Sequence, residues 1–361
     1  MKSATKRLLT SILAALFLAP ALLFAAGTKE NSGAAGEEPA TGAETAAESG
    51  TVTVVDSLGN EVVIPSHVTR VAALRSGIIE IICALGKADL IVAVDEMTKA
   101  GTMYGQFAAT IHPELMNQVA PYAGRDVNIE ALLATEPDLL LHGGYGRIRQ
   151  ADAIRAMAPQ LPVVIAHFET LDAYMDDIRI VGKCVNAEAE AEKLIAFLEK
   201  YLNDLEKLTA KIPADARKKV YYTGHDVYHA YGGDTFEHYQ IVRAGGINVA
   251  EGLTGWMPEV SAEQLLLWNP DVIVMLNGAD VNAVLSDEKL RDLAAVKNRA
   301  VYALPEAGWD FSTPRALFCM EWIFSLLYPE RYGKTDIETR ADQYFQAVFK
   351  ADYTGPSLKG K

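Results

Sequence analysis

Cysteine is scarce in this 361-residue chain: Cys83, Cys184 and Cys319 lie far apart, are odd in number and form no Cys-x-x-Cys pair of metal-ligand or redox spacing. Each stands in an apolar helical context, which reads as a buried core thiol. No cysteine follows the N-terminal apolar run, so a soluble or signal-anchored form is expected rather than a lipoprotein. Positive charge is also short, with 33 Lys and Arg against 47 Asp and Glu and a formal net charge of −14. The basic residues are not clustered, and a phosphate backbone needs a basic footprint, so no nucleic-acid partner is expected. The Gly-x-x-x-x-Gly-Lys-Ser/Thr phosphate loop, the Gly-x-Ser-x-Gly elbow and the His-Glu-x-x-His helix are all missing, and no enzyme is expected. Ala244-Gly245-Gly246 is too short for a nucleotide fingerprint and reads as a helix C-cap.

What is present begins with Lys2, Lys6 and Arg7, the apolar stretch Leu8 to Phe24, and small residues at Ala25, Ala26 and Gly27. That order predicts a secretory signal peptide over 1–26 and an exported protein. Thr10, Ser11 and Pro20 interrupt the run, which argues against a permanent anchor, and no second transmembrane stretch follows. Residues 27–50 are nearly all Gly, Ala, Glu, Thr, Ser and Pro, a disordered low-complexity tether. Roughly 310 residues remain, more than one core usually holds, so two lobes are expected.

An internal repeat organises those lobes. Asn128 to Leu141 reads NIEALLATEPDLLL and Ser261 to Val274 reads SAEQLLLWNPDVIV. Each copy offers an N-cap (Asn128, Ser261), a glutamate two residues on (Glu130, Glu263), a leucine pair, then Pro-Asp and an apolar run. The pattern predicts a short helix stopped by Pro137 or Pro270, feeding a strand buried on both faces of a parallel sheet. Further strands are predicted near 71–74, 90–94, 163–165, 220–222 and 300–304, and helices near 78–85, 151–158, 236–244 and 314–327. This alternation is that of parallel sheets covered by helices. Between the lobes, Leu194, Leu198, Tyr201, Leu205, Leu208 and Ile212 repeat at spacings of three and four, one stripe on a connecting helix over 187–212 that Pro213 ends. Thr51 to Val55 and Glu61 to Ile64, joined at Gly59-Asn60, read as a hairpin. The predicted layout is thus an N-terminal α/β lobe at 51–186, the backbone helix at 187–212, a C-terminal α/β lobe at 213–350 and a tail at 351–361.

In this order the segments VTVVDSLGNEVVIPSHVTRVAAL, EIICALGKADLIVAVDE, NIEALLATEPDLLL, AGGINVAEG, PEVSAEQLLLWNPDVIVML, LAAVKNRAVYALP and STPRALFCMEWIFSLLYPE resemble the helical-backbone class of ABC-importer solute-binding proteins, which take ferric siderophores, haem and vitamin B12. The resemblance spans about residues 51 to 332. It implies two Rossmann-like lobes with parallel sheets, one long rigid helix between them, and a ligand cleft between the lobes. It implies no resident cofactor. It further implies that Glu130 and Glu263 dock on arginines of a membrane permease that works with ATPase subunits, the binding protein acting as a monomer. Both glutamates fall in a first helical turn, where the macrodipole favours a carboxylate that stays solvent-facing.

Ligands of parallel α/β lobes bind beyond the carboxyl ends of strands. The loops there contain Arg75 and Ser76, Tyr104, Arg125, then His142, Tyr145 and Arg147. The second lobe offers His225, Tyr228, His229 and Tyr231, then Trp256, Met257, Asn277, Trp309 and Arg315. Aromatic walls and guanidinium forks suit a bulky, often anionic metal chelate. The expected ligand is therefore a chelated metal, a ferric siderophore first, then a corrinoid or haem, with an oxyanion such as molybdate left open. Tyr145 or His229 would be the axial candidates for haem. A chelated metal is expected rather than a bare zinc or manganese ion, because His225, Asp226 and His229 would share a face only in a helix that their Tyr- and Gly-rich loop disfavours.

Overall fold

Two four-stranded parallel sheets with one shared strand order carry the molecule. In this computed structural model residues 50–143, 148–166, 171–310, 313–333 and 336–359 are described. The predicted leader, and all of the tether but Gly50, lie outside them, as do Tyr145 and Arg147. Strands β1 (Thr51–Val55) and β2 (Glu61–Pro65) pair as the expected antiparallel hairpin. Gly59 in its turn has φ +81°, a value that favours glycine. The first sheet joins β3 (Val71–Ala73) and β4 (Ile91–Ala93) to two later strands. Before those comes a two-residue ladder, β5 (Tyr122–Ala123) with β6 (Asp126–Val127). Then β7 (Leu139–His142) and β8 (Val163–Ile165) complete the order β4-β3-β7-β8. The second sheet holds β9 (Lys219–Thr223), β10 (Ile247–Asn248), β11 (Val272–Met275) and β12 (Val301–Ala303) in the order β10-β9-β11-β12.

The repeat explains why the two sheets match. Asn128 Oδ1 accepts from Ala131 N–H at 3.0 Å, and Ser261 Oγ accepts from Gln264 N–H at 3.1 Å, so each short helix starts on its predicted cap. Leu132 and Leu265 are fully buried beneath the two helices. Glu136 and Asn269, each just before the proline, turn the chain with positive φ of 47° and 43°. The aspartates after the prolines do the same work in both copies. Asp138 Oδ2 accepts from the N–H groups of Thr69 and Arg70, and Asp271 Oδ2 from Lys219 N–H at 2.8 Å. Each aspartate thereby aligns the start of the neighbouring strand, and β7 and β11 are buried along their whole length.

The connecting helix runs Glu188–Thr209, about 33 Å at 1.5 Å per residue. It is shorter than the apolar stripe predicted because the chain tightens at its end: Ile212 N–H donates to Thr209 O, yet Ile212 is still buried. Its inner face packs Leu194, Ile195, Leu198, Leu202 and Leu205 into one apolar cluster that draws on both lobes. Tyr201 on the same helix donates to Glu321 at 2.5 Å, and Glu321 also accepts from Tyr332 and Arg340. That carboxylate ties the connector to the Ala316–Leu327 and Ile337–Phe349 helices. Residues 351–359, expected as a tail, pack instead: Leu358 is buried and its carbonyl accepts from Trp322 Nε1 at 3.2 Å. All three cysteines are buried and unpaired, and burial pushes the Cys184 thiol up to about 12. At Gly245 the predicted C-cap forms, with φ +82° and Gly246 N–H donating to Ile241 O.

Candidate functional site

The carboxyl ends of the strands face a boundary between the lobes, where the chain brings together residues far apart in sequence. Arg75 follows β3 in extended conformation and opens the Ser76–Ala84 helix, half-buried. Tyr104 stands in a short turn at Met103–Gly105 and donates to Asp310 Oδ2 across the boundary at 3.0 Å. From the second lobe, Tyr222 near the end of β9 meets Tyr231 edge to face at 5.5 Å, and Tyr231 meets Trp256 the same way at 6.1 Å. Trp256 is 64 % exposed and forms the rim, whereas Tyr231 is only 2 % exposed. Half-buried Met257 closes over Gly224, where a Cβ would strike its methyl group.

Acidic groups complete this wall. Glu237 lies in the first turn of the Phe236–Arg243 helix, and Gln240 on the next turn donates to the carbonyls of Trp309 and Ala316 at 2.6 and 3.0 Å. The glutamine holds the loop that carries Asp310. Burial pushes the Glu237 carboxyl up to about 8, and the like charge of Asp310 adds to the rise. Burial also raises Asp310, against hydrogen bonds from backbone and from Tyr104. Desolvation raises the Tyr104 phenol as well, with Arg75 pulling in the opposite direction.

The remaining predicted site residues are placed elsewhere. His142 ends β7, fully buried, because the strand runs one residue further than expected and pairs with Ile165. Its Nε2 meets Gln150 Oε1 at 3.2 Å, and Gln150 in turn reaches the carbonyl of the exposed Arg125. Ser76 is engaged with Asp95 at 2.8 Å. Tyr228 donates to Asp287 at 2.7 Å, and His229 Nδ1 lies 3.1 Å from Asp226. Tyr228, with His225 and Asp226, borders a hollow of about 170 Å³. Asn277 donates to the carbonyls of Leu304 and Pro305. A larger hollow of about 480 Å³ lies between Val249, Val260, Gln264 and Trp268. Trp309 and Arg315, predicted to line the cleft, are 0 and 1 % exposed. Trp309 packs edge-on against Phe318 and Trp322 as a core residue.

Arg315 forms a seam between the lobes. It grips Glu80 with two hydrogen bonds of 3.0 and 2.7 Å and Glu306 with one of 2.8 Å, and its guanidinium sits 4.5 Å over the Phe107 ring. Phe107 also meets Phe345 and Phe349 at 5.4 and 4.7 Å. Gly308 has φ +93°, and a Cβ there would crowd Arg315. Sequence reasoning missed Glu80, Glu237 and Asp310. Glu80 carried a signal, a lone charge within the apolar SGIIEIICA, whereas Glu237 and Asp310 carried none beyond standing beside an aromatic residue.

Glu130 and Glu263 occupy equivalent first turns, both exposed, and neither forms an ion pair among the described residues. Backbone N–H groups at the helix start and the Ser261 hydroxyl hold the Glu263 carboxyl below its ordinary range. Among the described residues no group of three or more His, Cys, Asp or Glu side chains could hold a metal ion.

Two parallel α/β lobes and a single long connector are the architecture of the helical-backbone class of solute-binding proteins. The profile described as "Periplasmic binding protein" matches residues 71–307, and the chain belongs to that family. It is therefore an exported protein of the kind that serves an ABC importer. The molybdate-binding protein MolA of Haemophilus influenzae is 26 % identical, covering 83 % of this chain and 91 % of the relative. The molybdate-bound structure of MolA superposes with a TM-score of 0.74 at 24 % identity, covering 84 % of this chain and all of that one. CeuE of Helicobacter pylori, in a nickel–histidine complex, gives a TM-score of 0.71 at 20 % identity over 84 % of this chain and 97 % of its own. Among the described residues no helix is long and apolar enough to cross a membrane.

Proposed function

We propose that this protein captures a small oxyanion of the molybdate class in the cleft and delivers it to its permease through Glu130 and Glu263. The observation that carries this reading is the Tyr104–Asp310 hydrogen bond of 3.0 Å. It joins the lobes in the middle of the wall, which suits an ion better than a macrocycle. Arg75 supplies a guanidinium at the same place, and the Tyr231 hydroxyl supplies a neutral donor, the groups that a compact oxyanion requires. The similarity to MolA supports the same ligand class.

A metal chelate, the first expectation from sequence, remains the second reading because Trp256 leaves an exposed indole at the rim, edge-on to Tyr231. Titration calorimetry of the purified protein against molybdate, a ferric hydroxamate, haem and cobalamin separates them. Molybdate binding with indifference to the other three supports the oxyanion; tight binding of a chelate alone replaces it. For docking, Glu130→Lys and Glu263→Lys leave ligand affinity unchanged and abolish uptake in cells carrying the cognate permease. Unchanged uptake in the double variant removes the docking role.

A further inference from the structure

The cleft wall poses an electrostatic problem for an anion, since two carboxyl groups stand where an oxyanion would approach. Glu237 is 5 % exposed and Asp310 half-buried, on the Phe236–Arg243 helix and the loop after β12. The hydroxyl of Tyr222 is fully buried in the same field, within electrostatic reach of both carboxyls and Tyr231, and has no hydrogen-bond partner among the described residues. A buried hydroxyl left unmatched is costly, so its presence points to a ligand or proton that the wall is built to meet. We propose that a protonated Glu237, with the hydroxyls of Tyr222 and Tyr231, forms a wall that donates hydrogen bonds to the bound ion, so that an ionised Glu237 must take up a proton when an oxyanion binds; this rests on the oxyanion reading above.

The surroundings fit that role. The groups facing the two carboxyls are Tyr104 from the first lobe, Tyr222 and Tyr231 from the second, Cys319 on the Ala316–Leu327 helix, and Arg315. Arg315 is already matched to Glu80 and Glu306. Burial and the like charge of Asp310 outweigh the hydrogen bonds at Glu237, so its carboxyl, pushed up to about 8, keeps its proton at neutral pH. A carboxylic acid held neutral donates to an anion, whereas a carboxylate repels it. An anion bound beside Glu237 favours its protonated form further, so binding above about pH 8 must draw one proton from solvent.

Titration calorimetry with sodium molybdate, run from pH 6.5 to 9.5 in pairs of buffers that differ in ionisation heat, reads the proton directly. The expected affinity is flat at the acid end and weakens about tenfold per pH unit above about pH 8, with net proton uptake. Glu237→Gln keeps the donor, binds molybdate and loses the slope. Molybdate binding with no proton uptake by the native protein overturns the proton-coupled wall alone, as does a slope that survives in Glu237→Gln. No molybdate heat at any pH overturns the oxyanion reading and the wall with it.

Discussion

The two lobes repeat one backbone plan and share almost none of its cleft chemistry. Copy for copy, Asn128 and Ser261 cap, Leu132 and Leu265 bury, Glu136 and Asn269 turn, and Asp138 and Asp271 align the next strand. At the strand ends the likeness stops: the first lobe brings Arg75 and Tyr104, and the second a wall of Tyr222, Tyr231, Glu237 and Asp310. Strand order and helix starts are set by local contacts that any ligand tolerates, while loops beyond the strands answer only to what lies between the lobes.

The seam is where the comparison breaks most sharply, because Arg315 has partners in both lobes. Arg315→Met leaves Glu80 buried and unpaired and costs about 3–5 kcal/mol in denaturant unfolding, and adding Glu80→Gln recovers much of it. An unchanged midpoint in the single variant contradicts the seam. Next comes the acid of the second lobe. Glu237 is raised in the folded protein, so its contribution is fully present below about pH 4.5, is lost as pH rises toward about 8, and stays lost above. Glu237→Gln is accordingly more stable than the native chain by on the order of 4 kcal/mol above pH 8, with the gap closing near pH 4.5. Thermal unfolding across that window with no change in the gap refutes the buried neutral acid.

Smaller effects sharpen the likeness of the copies. Asp138 accepts from two backbone N–H groups and the Thr69 hydroxyl, Asp271 from one N–H. Asp138→Ala therefore costs more than Asp271→Ala, both within about 1–3 kcal/mol, and the reverse order in chemical denaturation counts against the assigned roles. Asn128→Ala and Ser261→Ala, each removing one cap bond, lose about 1 kcal/mol apiece and match within a few tenths.

The repeat was legible in sequence because its signals are local: a cap, a proline and an apolar run within fourteen residues of one another. The connecting helix was legible as a stripe, although its periodicity outlasted the helix, since Ile212 is buried from a tightened last turn. The site was only partly legible. Arg75, Tyr104, Tyr231, Trp256 and Met257 do border the boundary, but the Tyr104–Asp310 and Arg315–Glu80 contacts join residues 206 and 235 positions apart, and no local pattern announces such pairs. Trp309 and Arg315 misled because an aromatic and a guanidinium after a strand look the same whether they face a ligand or lock a core.

The most direct measurement is a crystal structure of the protein soaked with sodium molybdate, located by anomalous scattering of the metal. The account predicts one strong peak between the lobes, with Arg75 and the hydroxyl of Tyr231 in hydrogen-bond reach. A peak only on the outer surface of either lobe, or none at a concentration that saturates calorimetry, contradicts it.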